Sequence, residues 1–329
     1  MEWYYNEGDR KVGPLTQEEL ECRVHARVIN IDTLVWQEGA DKWRPLREFS
    51  SLRFVSEATP PKVNAPAAVG RVLTVEQLRD SNEKTALTLL FVAAVPVYLV
   101  LLVWIVFSMG ILLVFFGFFY LMGLIGQHFA AAYIKTNSVR VSENQFPEIH
   151  AAVHECATTL NIAPPDVYIL QHNLWNAFAT KLAGKRMVVL LSGAVDSILL
   201  KGDFKQLKWV VGHEIGHHAA GHLNWTRSWA KLGGWLPWLY LWYSRRAELT
   251  CDRIALYCVG EQKSSIAALS NLAVGAQLST RMNVPGAIAD WQNYSGEFFV
   301  KYRTMYSTHP PLLARFAQLQ TAAKEFGIN

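Results

Sequence analysis

Cysteine is scarce in this 329-residue sequence: Cys22, Cys156, Cys251 and Cys258 are the only four, and no two form a Cys-x-x-Cys pair. That argues against a thiolate metal site, and nothing in the pattern asks for an oxidising compartment. Cys251 and Cys258, one heptad apart, read as small buried apolar residues. Charge is scarce too, at 18% of residues with a net charge of +4. No basic block of the kind that grips nucleic acid is present, so no nucleic-acid partner is expected. The opening MEWYYNEGDRK mixes charges of both signs and has no apolar run, so a cleavable signal peptide is not expected.

The scarcity of charge becomes total from Thr85 to Ile134, where no Asp, Glu, Lys or Arg occurs. As one helix this run would be roughly 75 Å long at about 1.5 Å per residue. A bilayer core is crossed by about 20 residues. Two spans therefore fit, broken near Ser108-Met109-Gly110. Arg71, Arg79 and Lys84 precede the first span; Lys135 and Arg140 follow the second. The positive-inside rule then predicts a multi-pass protein of the cell (inner) membrane with both flanks cytoplasmic and the lipid bilayer as a partner.

The expected organisation is a small unit at 1–54, a linker at 55–84, two membrane helices at 85–134 and a larger domain at 135–329. In the first unit EWYYN and DTLVWQ read as strands, and EGDRKVGP between them carries turn chemistry. TQEELECRVHARVI starts with a Thr-x-x-Glu capping pattern and continues at helical spacing. The stretch SEATPPKVNAPAAVG at 56–70 reads as an extended linker. Trp3, Tyr4, Tyr5, Gly13, Pro14, Leu20, Thr33, Leu34, Val35, Trp36 and Trp43 give this unit a resemblance to GYF-like domains. The resemblance implies a small α+β fold and a proline-rich peptide partner docked on aromatic side chains. The Gly-Tyr-Phe tripeptide itself is missing, with Gly-Pro-Leu in place of an aromatic. The same aromatics read equally well as the core of a tiny domain.

Beyond residue 140, helices are expected at PEIHAAVHECATTLN, QLKWVVGHEIGHHAAGHLNW, RRAELTCDRIALYCVG and HPPLLARFAQLQTAAKEF, with strands at 166–171 and 186–193. Strands early and helices throughout make an α+β pattern. The third expected helix follows LGGWLPWLYLWY (232–243), which is too short to cross a bilayer and contains Pro237. Two placements stay open for it: at the membrane interface through its Trp and Tyr side chains, or over a cleft.

His213-Glu214-x-x-His217 carries the chemistry. Four residues on a helix are about 40° of rotation, so both imidazoles share a face with Glu214 between them. This is the pattern of two metal ligands with a base beside the metal. A catalytic zinc wants a third protein ligand and one open position. His222 is about 180° around the helix from His213 and cannot share its metal without a break in the helix. His218 points about 100° away from His217. Both His218 and His222 read as packing, as partners behind a ligand side chain, or as part of a neighbouring surface. The metzincin continuation fails, because Ala220 and Leu223 stand where glycine and histidine are needed. Glu248 is the candidate third ligand. Asp252, one turn on, is placed to accept the free N–H of a ligand imidazole. The alternative is a solvated acidic face paired with Arg245, Arg246 and Arg253.

Two spans, then NAFAT, HEIGH, SRRAELTCDRIA and STHPP with a following Arg, resemble the HtpX-like and CAAX prenyl endopeptidase family of membrane zinc metalloproteases over roughly 85–320. The resemblance implies a mainly helical zincin-type domain, one zinc ion on His213, His217 and Glu248, and Glu214 as catalytic base. It implies that Asn176 and Ala177 bind the backbone of a polypeptide substrate, including membrane proteins in quality control. It also implies that His309 and Arg315 sit near the cleft, at the oxyanion or holding the ligand helix. Tyr302 and Tyr306 are weaker candidates. Many members have further spans after the His-Glu-x-x-His helix, which this sequence lacks. Two other functions stay open: a GYF-like peptide-binding scaffold with a silent metal site, and a prenyl-protein processing protease.

Overall fold

The computed structural model describes residues 3–7, 10–17, 20, 29, 32–40, 42–49, 72–172, 176–199 and 203–328. The chain divides into two units, Met1–Lys62 and Val63–Asn329. The helix expected over 16–29 and the linker at 56–70 lie almost entirely outside the described residues, as does Cys22.

The first unit is an antiparallel sheet in the order β2-β1-β3-β4, from β1 (Trp3–Glu7), β2 (Arg10–Leu15), β3 (Leu34–Gln37) and β4 (Arg44–Pro45). Successive side chains of a strand face opposite ways. Trp3 and Tyr5 accordingly join Leu15, Val35 and Leu46 in the core, while Tyr4 sits on the other face against Trp36, ring centroids 5.5 Å apart. Lys11 Nζ lies 3.9 Å from the Tyr4 ring centre and 4.2 Å from that of Trp36. The stretch read as a turn is thus mostly a strand, β2. Gly13 and Pro14 disguised it. Pro14 is tolerated there because β2 is an edge, where its missing N–H need not break a ladder bond.

In the second unit α1 (Glu83–Phe107) and α2 (Ile111–Asn137) turn at Ser108–Gly110, where Met109 and Gly110 have φ of 48° and 83°. Both helices are long and apolar enough to cross a membrane. Their outward faces are apolar and largely exposed, from Val92 to Phe107 and from Ile111 to Phe129. Such faces suit the apolar interior of a bilayer, and the pair fits a membrane protein. The residues of α1 buried against the rest of the unit form one stripe: Glu83, Ala86, Leu90 and Ala94.

The stretch 232–243 lies along that stripe and not over the cleft. The Trp235 indole N–H donates to Ala93 O at 2.8 Å, and a Cβ on Gly233 would collide with Leu90 O. Pro237 does not interrupt a helix; it starts one, α6 (Pro237–Val259). Proline suits the first helical position because the N–H it lacks has no partner there.

A four-stranded sheet follows α2, in the order β5-β6-β8-β7, from β5 (Ser138–Arg140), β6 (Asp166–Leu170), β7 (Ala177–Leu182) and β8 (Lys185–Leu191). β6 and β8 are parallel, while β7 and β8 form a hairpin that leaves β7 at the edge. The longer helices of the rest of the unit are α3 (Pro147–Thr159), α4 (Ser192–Leu199), α5 (Phe204–Ala219), α6, α7 (Gln262–Val274), α8 (Val284–Tyr294), α9 (Phe298–Met305) and α10 (Leu312–Phe326), with shorter helical turns between them. Val153, Val188, Leu190, Val211, Ile215, Ile254 and Phe316 meet in its main core.

α5 and α6 pack closely because two glycines one turn apart face the partner. A Cβ on Gly212 would stand 3.3 Å from Ala255 Cα, and one on Gly216 would stand 3.4 Å from Cys251 Cα. The short approach brings Glu248 within reach of both histidines of α5.

Candidate functional site

α5 is capped by Asp203, whose carboxylate accepts from the N–H groups of Lys205 and Gln206. From that start the helix carries Trp209, His213 and Glu214 inward among buried residues. His213 Nε2 lies 3.5 Å from Glu248 Oε2, and His217 Nε2 lies 3.6 Å from Glu248 Oε1. Ligands about 2.0–2.2 Å from a tetrahedral ion stand about 3.3–3.5 Å from one another. The three side chains expected to meet are therefore brought together at nearly the spacing that such an ion needs.

Each imidazole is fixed from behind. His213 Nδ1–H donates to Asp252 Oδ1 at 3.0 Å. Asp252 in turn accepts from Arg315: Nε to Oδ2 at 2.8 Å and the terminal N–H to Oδ1 at 2.6 Å. Arg315, expected near the cleft either at the oxyanion or holding the ligand helix, takes the second place: it is a buried fork on Asp252 of α6. On the other ring, His217 Nδ1 meets His222 Nδ1 at 3.1 Å. α5 stops at Ala219, and Gly221 in the left-handed region (φ 71°) turns the chain back. The helix break excluded from the helical-wheel reading of His222 is thus real, and it puts His222 behind His217. His218 bonds to Met187 O of β8 at 3.1 Å and packs, as expected.

The electrostatics follow from burial and these partners. Burial works against a charge on His213, but Asp252 and Glu248 outweigh it and raise its pKa to about 10. Burial lowers His217 to about 3, helped by its charged neighbour His213. Burial opposes the charge on Glu248 as well, yet the two imidazoles and Arg315 hold it well below the usual carboxylate range. Without an ion, then, His213 is the member of the triad that carries the extra proton. Glu214 is pushed up to about 7, first by burial, although the Ala179 N–H donates to it.

Among the described residues a second group also fits a metal by type: His217, His222 and Cys251. Cys251 Sγ is 3.6 Å from His222 Nδ1. Burial raises its thiol well above the ordinary value, which opposes the thiolate form that binds metal.

The three groups open into a cleft of 470 Å³ lined by β7, α5, Leu272 and the His309–Arg315 stretch. Asn176 O accepts from Leu191 N–H. Antiparallel strands alternate bonded and non-bonded pairs, so Ala177 and Ala179 turn their main-chain groups away from β8 toward the open edge. Their donors have local partners: Ala177 N–H donates to Asn176 Oδ1 at 2.9 Å, and Ala179 N–H to Glu214. His309 stands at the rim, Nε2 3.9 Å from Glu248 Oε1. Tyr302 and Tyr306 are exposed on or beside α9 and do not line the cleft.

The family model for peptidase family M48 matches residues 143–236 and 228–323, just over half of the chain, and that for GYF domain 2 matches residues 3–52. Similar proteins include the plastoglobule-localized metallopeptidase 48 of Arabidopsis thaliana, chloroplastic, which is 28% identical over 53% of this chain and 56% of its own length. They include protease HtpX homologs of Thermodesulfovibrio yellowstonii, 25% identical over 56% of this chain and 79% of the relative, and of Thermoplasma volcanium, 33% identical over 40% and 41%. The chain spans little more than half the length of the plant relative. No solved structure matches.

Proposed function

The chain belongs to peptidase family M48, and on that footing we propose that it is a membrane-anchored zinc endopeptidase with Glu214 as general base. The observation that carries this reading is the convergence of His213, His217 and Glu248 at spacings of 3.5 and 3.6 Å. Each imidazole's second nitrogen is already engaged, which turns the inward nitrogen toward an ion; on His213 that nitrogen carries a proton, which the ion displaces. These three side chains would hold one zinc. Zinc at such a site supplies an acidified water of pKa near 7 and polarises the scissile carbonyl.

Glu214 takes the proton of the attacking water on its carboxylate and passes it to the leaving amine. A pKa near neutrality suits a group that must accept and then release. β7 binds the substrate as an added strand through the outward main-chain groups at Ala177, with Asn176 shaping the approach. Phe178, Leu223, Leu272 and Leu312 give the cleft an apolar lining for substrate side chains. His309 is the donor nearest the rim for the charge that develops on the carbonyl oxygen. The substrates are unfolded or membrane polypeptides met in quality control at the cytoplasmic face. The Tyr4–Trp36 pair of the first unit is the docking place for a proline-rich peptide.

The test is cleavage of casein by the purified full chain in detergent micelles, with metal analysis of the same sample. One zinc per chain, loss of cleavage on chelation and recovery on adding zinc are expected. Cleavage that persists in the metal-free chain would remove the reading.

Zinc affinity should also depend on pH. An ion that takes His213 Nε2 displaces the proton held there, so affinity rises with pH, by about tenfold per unit up to about pH 10. An ordinary imidazole, pKa about 6.5, would give a plateau above about pH 7. Competition titrations between pH 6 and 9 distinguish the two.

A further inference from the structure

Behind His217 the hydrogen bonds run on, out of the site and into the membrane anchor. His222 Nε2 lies 3.1 Å from Glu83 Oε1. Glu83 is the first residue of α1 and only 1% exposed. Its Oε1 also accepts from Arg79 at 2.6 Å and Arg227 at 3.0 Å, and its Oε2 from Thr250 Oγ1 at 2.6 Å. Thr250 stands on α6, two residues from both Glu248 and Asp252. The carboxylate is therefore fixed on all sides by donors, and it has one orientation to offer His222.

The direction of each bond follows. A carboxylate only accepts, so His222 donates through Nε2–H. A neutral imidazole that donates through Nε2 carries its lone pair on Nδ1. That lone pair faces His217 Nδ1 at 3.1 Å, with Cys251 Sγ farther off at 3.6 Å; two lone pairs repel at the shorter distance, so His217 donates. His217 Nε2 is then left as the unprotonated nitrogen, and Nε2 is the atom that faces Glu248. His213 is oriented in one step, through its Nδ1–H on Asp252.

We propose that Glu83 and His222 are positioning residues for the metal site, a relay from the first turn of the membrane helix that fixes the tautomer and ring orientation of His217. This rests on the zinc reading of His213, His217 and Glu248. The relay gives the buried glutamate at the head of an apolar helix a link to the site, and it uses the chain reversal at Gly221 that follows α5. It also makes the metal site depend on the docking of α1 against the protease unit.

The test is zinc affinity of the full chain in detergent micelles, by competition with a chromophoric chelator. Outer partners of metal-bound histidines typically contribute about 10–100-fold in affinity. His222→Ala and Glu83→Ala should each lose affinity in that range, and the double variant should lose no more than the larger single loss. His222→Asn, whose amide oxygen stands close to the place of Nδ1 and can accept from His217, should recover most of it. His218→Ala, next to His217 on α5 but bonded to Met187 O of β8, should bind zinc as wild type does. Should His222→Ala fail to fold, His222→Leu fills the space without an acceptor and takes its place. Wild-type protein that binds no zinc overturns the metal reading and the relay with it. Wild-type binding matched by the His222 and Glu83 variants overturns the relay alone, as does an equal loss in His218→Ala.

Discussion

Glu214→Gln is expected to lower casein cleavage by about 10²–10⁴-fold, the usual contribution of a positioned acid–base group. Zinc content should remain at one per chain. The amide has the shape of the carboxylate and can still accept from the Ala179 N–H, so the geometry around β7 is kept. What it cannot do is take a proton from water. Glu214 is buried and next to the triad but belongs to neither candidate ligand group. A variant that keeps a tenth or more of the activity assigns the proton to another group. A variant that loses its metal makes Glu214 a ligand and not a base.

The second large effect is on stability. Arg315 and Asp252 are 5% and 3% exposed and joined by two bonds. The fork holds the Asp252 carboxyl below its ordinary range even though burial pushes the other way. Arg315→Leu leaves that carboxylate buried with only the His213 N–H. Removing one partner of a buried pair costs about 3–5 kcal/mol. In a unit of this size, that corresponds to a fall in melting temperature of roughly 6–20 °C. Replacing both residues, Arg315→Leu with Asp252→Leu, should restore much of the stability, because no orphaned charge remains. It should not restore zinc affinity, since His213 Nδ1 then has no acceptor. Equal melting of Arg315→Leu and wild type would mean that the pair does not hold the α10–α6 contact. Recovery of zinc affinity in the double variant would mean that Asp252 does not orient His213.

Much of the site was legible in the sequence because its parts lie on two helices with regular spacing. His213, Glu214 and His217 share one face of α5, and Glu248 and Asp252 share one face of α6. Helical geometry alone groups them. That α5 and α6 meet was also written, at Gly212 and Gly216, a signal overlooked beside the histidines. The relay was not legible. Glu83 and His222 are 139 positions apart, and only the backbone reversal at Gly221 brings His222 behind His217. A helical wheel continued past the end of the helix sends that ring the wrong way. Arg315 was expected near the cleft, at the oxyanion or holding the ligand helix; which of the two, and that its partner is Asp252, leaves no periodic trace, because the fork spans α10 and α6.

The fold shows the same division. The two apolar spans and their break at Ser108–Gly110 followed from length and charge alone. The principal helices α3, α5, α6 and α10 followed from periodicity. β5 was missed because a three-residue strand at a sheet edge carries little apolar alternation, and β7 (Ala177–Leu182) was suggested only by the family resemblance at Asn176-Ala177, not by its own pattern. α7, α8 and α9 lay in sequence with no motif to draw attention to them. β2 was hidden by Gly13 and Pro14, residues that mark turns in most settings but are permitted on an edge strand.

Zinc K-edge X-ray absorption of the purified full chain tests the central claim most directly, because it reports the atoms around the ion. His213, His217 and Glu248 with one water predict four nitrogen or oxygen neighbours at about 2.0–2.2 Å and imidazole scattering from two rings. A sulfur neighbour at about 2.3 Å would contradict this, since it would place the ion on Cys251 with His217 and His222.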